Sequence, residues 1–274
     1  MLQFDFMKRT LAVSLMLSIM IPLIGIVMVN RKTSMVGDAL SHTSLAGVGI
    51  GLIFGFNPVW GAVAVCIIAA FSIEGIRKKF PQYGDMATAI IMSLGLGIAA
   101  ILSDFAPGGN TFESYLFGSI ASVSPNDVIA VGVIFVLVLA TSLIYYGGLL
   151  DIAIDPNLAR LAGVNVKIVN GIFTVLSAIT IALACKIVGA LLVASLIVLP
   201  VATALIVSRS YKQNYIISIV LGVIYMMLGV TISFYQEIKP GGAIVLNAIA
   251  GMIILSIYAK LKYKNNKVPD AFKH

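Results

Sequence analysis

An all-α, polytopic bundle of eight or nine membrane-spanning helices is the fold this sequence predicts, on three observations. Of its 274 residues, 60% are hydrophobic and 11% are charged, with a mean hydropathy of +1.06. A soluble domain carries roughly 25% charged residues, and a water-soluble fold of this length could not bury so much apolar surface. Second, eight uncharged runs follow one another along the chain, most of them close to the roughly 20 residues that span a bilayer. Third, 14 of the 18 Lys and Arg residues fall in short clusters between alternate runs, the pattern of cytoplasmic loops. The net charge of +7 therefore reads as attraction to an anionic membrane leaflet and not to nucleic acid.

The runs cover residues 11–29, 43–73, 86–103, 128–150, 168–185, 187–208, 213–236 and 240–259. Lys8 and Arg9 precede the first, as in a signal peptide, but it ends in Arg31-Lys32 without a small-residue cleavage site, so it is expected to be a retained helix. Residues 1–10 are expected to lie at the interface. The second run is too long for one span and is broken at Gly55-Phe-Asn-Pro58, which predicts two helices, 35–54 and 58–74. That makes nine spans, or eight if the boundaries around Lys186 and Gly222 fail. Alternation places Arg31-Lys32, Arg77-Lys78-Lys79, Arg160 with Lys167, Arg209 with Lys212, and the basic tail 260–274 on the inner side. Lys8, Arg9, Lys186 and Lys239 fall outside. No internal repeat or separate soluble domain interrupts residues 1–274.

Two connections stand out. Residues 105–125, on the outer side, are neither polar enough for a free loop nor apolar enough to span, and predict a short interfacial or re-entrant helix after Pro107-Gly-Gly-Asn110. On the inner side, Asp155-Pro-Asn-Leu-Ala-Arg-Leu-Ala-Gly163 carries its own punctuation. Asp155 suits an N-cap, Pro156 the first helical position and Gly163 the C-terminal cap, so a short helix is expected over 155–164.

Ionisable groups at membrane depth are costly and mark function. Asp38 and His42 lie four residues apart, on one face of a helix. Carboxylate and imidazole together suit Zn²⁺, Mn²⁺ or Fe²⁺, although two ligands from one helix are too few for a closed site. A blander reading sets Asp38 at the interface beside Arg31-Lys32, with His42 a satisfied core histidine; spacing alone leaves both open. Ala39, Thr43, Gly47, Gly51 and Gly55 form a small-residue ridge on the same helix, roughly 100° from the Asp38–His42 row. Glu74 reads as an ion-pair partner of Arg77 and Lys78, and Asp85 as the N-cap of the next helix. Cys66 and Cys185 read as small buried hydrophobes. The sequence has no Gly-x-x-x-x-Gly-Lys-[Ser/Thr] run for ATP and no His-Glu-x-x-His for a metalloprotease, and no permanently bound cofactor is expected.

With these residues in view, the chain resembles the metal-ion permease subunits of bacterial ABC importers. Ser34-Met-Val-Gly-Asp-Ala-Leu-Ser-His-Thr-Ser-Leu-Ala-Gly-Val48 is similar to their signature. Tyr115-Leu-Phe-Gly118, Asp155 to Val164, and Val188-Gly-Ala-Leu-Leu-Val-Ala-Ser-Leu-Ile-Val-Leu-Pro-Val-Ala-Thr-Ala204 agree in order, over about residues 30–247. The family's usual Pro-Ala-Ala-Thr-Ala is Pro200-Val-Ala-Thr-Ala here. The resemblance implies a multi-pass protein of the bacterial cytoplasmic membrane and a homodimer. Its implied partners are a cytoplasmic ABC ATPase, which hydrolyses the ATP, and an extracytoplasmic metal-binding protein. It also implies that Asp38 and His42 contact the transported metal and that Asp155, Leu158, Ala159, Arg160 and Gly163 belong to the helix that docks on the ATPase. The stretches 234–245 and 56–58 look more like the zinc branch than the manganese branch. The alternative from the residues alone is a secondary, proton-coupled divalent cation carrier, for which Asp38, Glu74 and His42 are the only groups available for a proton relay.

Overall fold

The computed structural model describes residues 3–106 and 109–265, and among them it is helix and connection only. The helices are α1 (Asp5–Asn30), α2 (Ser34–Phe54), α3 (Pro58–Lys79), α4 (Gly84–Phe105), α5 (Gly109–Phe117), α6 (Pro125–Ile144), α7 (Tyr146–Ile154), α8 (Pro156–Leu161), α9 (Val166–Ile187), α10 (Ala190–Val207), α11 (Tyr211–Gln236) and α12 (Pro240–Asn265). Nine of the described helices are long and apolar enough to cross a membrane: α1–α4, α6 and α9–α12. The boundary at Lys186 holds, because the chain turns at Gly189, and Gly222 lies inside α11.

The most buried span is α1, which is apolar nearly all round and packs against α6, α9, α10 and α11. At 26 residues it is roughly 39 Å long, so its first turn, with Asp5, Lys8 and Arg9, reaches beyond a hydrocarbon layer of roughly 30 Å. The segment assigned to the interface is therefore helical from Asp5 and continuous with the span. Pro22 cannot donate to the carbonyl of Ser18, and Gly222 of α11 packs against that carbonyl and the proline ring.

Helices α2, α3 and α4 form a second unit. Gly47 and Gly61 meet backbone to backbone, and a side chain on Gly51 would stand 2.6 Å from Cα of Pro58. Thr43 fills the space above Gly95 of α4. The predicted ridge is thus a packing seam as far as Gly51. Gly55 is not part of it: with φ 72° it ends α2 as a left-handed cap with nothing against its α-carbon.

Three further expectations need correction. The run 128–150 is not one helix; α6 stops at Ile144, α7 starts at Tyr146 after the break at Tyr145, and Leu149 and Ile152 join Val27, Ala159, Val166 and Val169 in a separate apolar cluster. Asp85 is not an N-cap. A 3₁₀ turn at Pro81–Tyr83 leads into α4, whose flanking residue is Tyr83, and Asp85 lies in the first turn, where its charge suits the helix dipole. Lys186 is not in a loop but in the last turn of α9.

Candidate functional site

Asp38 and His42 sit in the first half of α2, one turn apart, with the carboxylate Oδ1 3.5 Å from the imidazole Nε2. The His42 side chain is 15% exposed and that of Asp38 30%. The row is thus neither sealed in the core nor turned fully outward, while the neighbouring ridge residues Ala39 and Thr43 are buried. Nδ1 of His42 is buried and has no hydrogen-bond partner within the chain. Three hydroxyls of this helix bond back to it: Ser41, Thr43 and Ser44 donate to carbonyls three or four residues back. Asp38 and His42 are the two ionisable groups on α2, and so its strongest candidate ligands for an ion.

Both cysteines press on the same helix from opposite neighbours. Cys66 of α3 lies 3.2 Å from the carbonyl of Leu40, and Cys185 of α9 3.2 Å from Oγ of Ser44. Both are fully buried and free, as small hydrophobes would be. Among the described residues no group of three or more His, Cys, Asp and Glu side chains is placed to hold a metal ion. The described residues thus offer Asp38 and His42 as a pair of candidate ligands.

The short helix α8 is built as its punctuation suggests. Asp155 accepts from the Asn157 amide at 2.7 Å, and Pro156 occupies the first position. At the other end Gly163, at φ 85°, lets its own amide reach the Arg160 carbonyl and that of Val164 reach the Ala159 carbonyl, a double closure that only a left-handed residue permits. Ala159 is fully buried and anchors the helix, whereas Leu158 and Leu161 are 59% and 85% exposed. Of the residues assigned to docking, Ala159 is the one turned inward.

At the opposite end, α5 docks by Phe112 and Tyr115, both nearly buried. Burial first, and then the Asp127 charge, push the Tyr115 phenol up to about 12. Pro107 and Gly108 of the preceding turn lie outside the described residues. Lys186 reaches Asp127 at 2.6 Å, and Asp127 closes a capping box with Ser124 at the start of α6. Sequence reasoning missed this pair, which joins residues 59 positions apart.

Comparisons with known proteins agree along nearly the whole chain. The membrane protein ZnuB of a high-affinity zinc uptake system in Haemophilus influenzae is 28% identical over 94% of this chain and 98% of its own. The manganese import system permease protein ScaB of Streptococcus parasanguinis is 31% identical over 97% of this chain and 94% of its own. Among solved structures, a chain of PsaBC from Streptococcus pneumoniae in complex with Fab superposes with a TM-score of 0.83 at 28% identity, covering 94% of this chain and 96% of that one. Residues 3–259 match the ABC 3 transport family, and the chain is a multi-pass membrane permease belonging to that family.

Proposed function

We propose that this chain is the membrane-spanning subunit of an ATP-driven importer of a divalent transition-metal ion, with Zn²⁺ as first substrate and Mn²⁺ or Fe²⁺ as alternatives. The observation that carries the reading is the partly exposed Asp38–His42 pair, the two ionisable groups of α2, with Nδ1 of His42 lacking a partner. A carboxylate with an imidazole offers borderline ligands, suited to an ion that must bind and then leave. Two ligands do not complete a coordination shell. In a homodimer with α2 helices facing across the axis, a second copy would bring two more, which gives the dimer a chemical purpose.

The energy comes from elsewhere, since the chain has no phosphate-binding loop. A cytoplasmic ABC ATPase docks on α8, where Leu158, Arg160 and Leu161 offer a small exposed face on a helix fastened at both ends. An extracytoplasmic metal-binding protein delivers the ion to the opposite end. Relatives named for zinc and for manganese are about equally similar, so the choice of metal rests on the ligand chemistry.

In a complex reconstituted with its ATPase, Asp38→Ala or His42→Ala should abolish metal uptake while leaving assembly intact. Normal uptake in both variants would remove the site. Metal-stimulated ATP hydrolysis with Zn²⁺ and Mn²⁺ in competition decides the substrate; preferential stimulation by Mn²⁺ would overturn the zinc assignment.

A further inference from the structure

The inner end contains a cavity of about 440 Å³ bounded by α1, α2, α3, the end of α7, the start of α8 and α9. Arg31, Arg77 and Lys78 line it, against a single carboxylate, Glu74. That carboxylate is already committed: Lys78 lies 2.7 Å from one of its oxygens and Thr174 donates to the other at 3.2 Å. Among the described residues, neither Arg31 nor Arg77 has a carboxylate at ion-pair distance. Burial first, and then the Arg77 charge, push the Arg31 guanidinium down from its ordinary value, with Glu74 pulling the other way but not restoring it. Two polar groups also lack partners. Ser177 lines the cavity at 1% exposure with its Oγ unsatisfied, and Oδ1 of Asn170 is buried without a donor. The remaining wall is apolar, from residues such as Met28, Leu40, Ile73, Ile152 and Phe173.

This is the wrong electrostatics for a metal cation, and the cavity is therefore not the ion's route. Two guanidiniums with no carboxylate at ion-pair distance, beside an apolar wall at the end of the bundle expected to lie inside, match a different ligand. We propose that the cavity binds the phosphate of an anionic phospholipid of the cytoplasmic leaflet, paired with Arg31 and Arg77, the free hydroxyls of a glycerol head group such as phosphatidylglycerol's meeting Asn170 and Ser177. Guanidinium forks pair with phosphate oxygens through parallel charge-assisted hydrogen bonds, and basic pockets between spans on the cytoplasmic side take anionic head groups. A free phosphate would satisfy the same two arginines but leave the apolar wall without a partner. Pro156 belongs to the lining, so the bound lipid rests against the base of α8.

The test uses the permease purified with its ATPase and placed in phosphatidylcholine nanodiscs carrying increasing phosphatidylglycerol, with bound lipid counted by native mass spectrometry. Phosphatidylglycerol should be retained about tenfold more tightly than phosphatidylcholine. That preference should vanish in the Arg31→Gln/Arg77→Gln double variant and persist in Lys260→Gln, which removes an inner cation outside the cavity. Equal retention of the two lipids by the wild type overturns the proposal, and so does an unchanged preference in the double variant. Displacement of the lipid by millimolar inorganic phosphate identifies a free anion as the ligand and overturns the lipid assignment. Loss of the ATPase from the double variant with lipid retention unchanged assigns the arginines to a protein contact instead. Should the double variant fail to fold, the wild-type lipid comparison and the phosphate displacement still decide.

Discussion

The two ends of this bundle handle charge in opposite ways. At the outer end Lys8 is paired with Asp5 at 3.1 Å, Lys186 with Asp127 at 2.6 Å and Lys239 with Glu113 at 3.1 Å. At the inner end, among the described residues, Lys78 is the one cation with a carboxylate at ion-pair distance, and Arg31 and Arg77 line a cavity whose single carboxylate, Glu74, is taken by Lys78. Backbone closure replaces ion pairing there, through the Asp155 cap and the Gly163 turn. Among the described residues three of the four outer-end cations are thus paired, Arg9 being the exception with its Nε buried and without a partner, whereas at the inner rim most cations have no carboxylate at ion-pair distance.

The largest test of this contrast is at Lys186. Lys186→Ala strands the Asp127 carboxylate in a nearly buried site and should cost about 3–5 kcal/mol, read as a fall in the thermal unfolding midpoint of the solubilised protein. Removing both charges with Lys186→Met and Asp127→Leu should restore most of that. If the double change costs as much as the single one, the pair does not act by mutual neutralisation. Next is Gly163→Val, which forces a branched side chain into left-handed backbone at about 1–2 kcal/mol and should uncouple ATP hydrolysis from uptake; intact coupling would show that α8 tolerates a loose end. Asp155→Ala removes one cap and should cost about 1 kcal/mol, with coupling weakened but present. Lys239→Ala, in an exposed pair, should cost less than about 1 kcal/mol and lose even that in high salt. Smallest and opposite in sign is Arg31→Gln in lipid-free neutral detergent. Relief of its repulsion with Arg77 should leave the midpoint unchanged or slightly raised, and a clear fall would mean that Arg31 has a structural partner.

Much of this architecture could be read from the chain because its causes are local. Spans follow from uncharged runs, and the α2–α3 break follows from Gly55 and Pro58. The inner helix follows from Asp155, Pro156 and Gly163, each of which acts on its nearest neighbours. The turn at Tyr145 left no such trace. Residues 128–150 are evenly apolar, and the break exists because Leu149 and Ile152 find a pocket made by residues from α1, α8 and α9. Gly147 and Gly148 were the only hint. The ends of the bundle were harder still. Lys186 and Asp127, or Arg31 and Arg77, acquire their meaning from partners, present or missing, on other helices. For the candidate site, spacing placed Asp38 and His42 on one face and the ridge on another, as the structure has them. It could not say that Cys185 of a distant span would brace that helix.

The close approach of Gly47 to Gly61, repeated at Gly51 and Pro58, limits how this protein can move. Interlocked main chains cannot slide or roll past one another as side-chain layers can, so α2 and α3 travel as one plank. Any alternation in access to Asp38 and His42 must then come from hinging at the plank's edges, and not from twisting the helix that bears them.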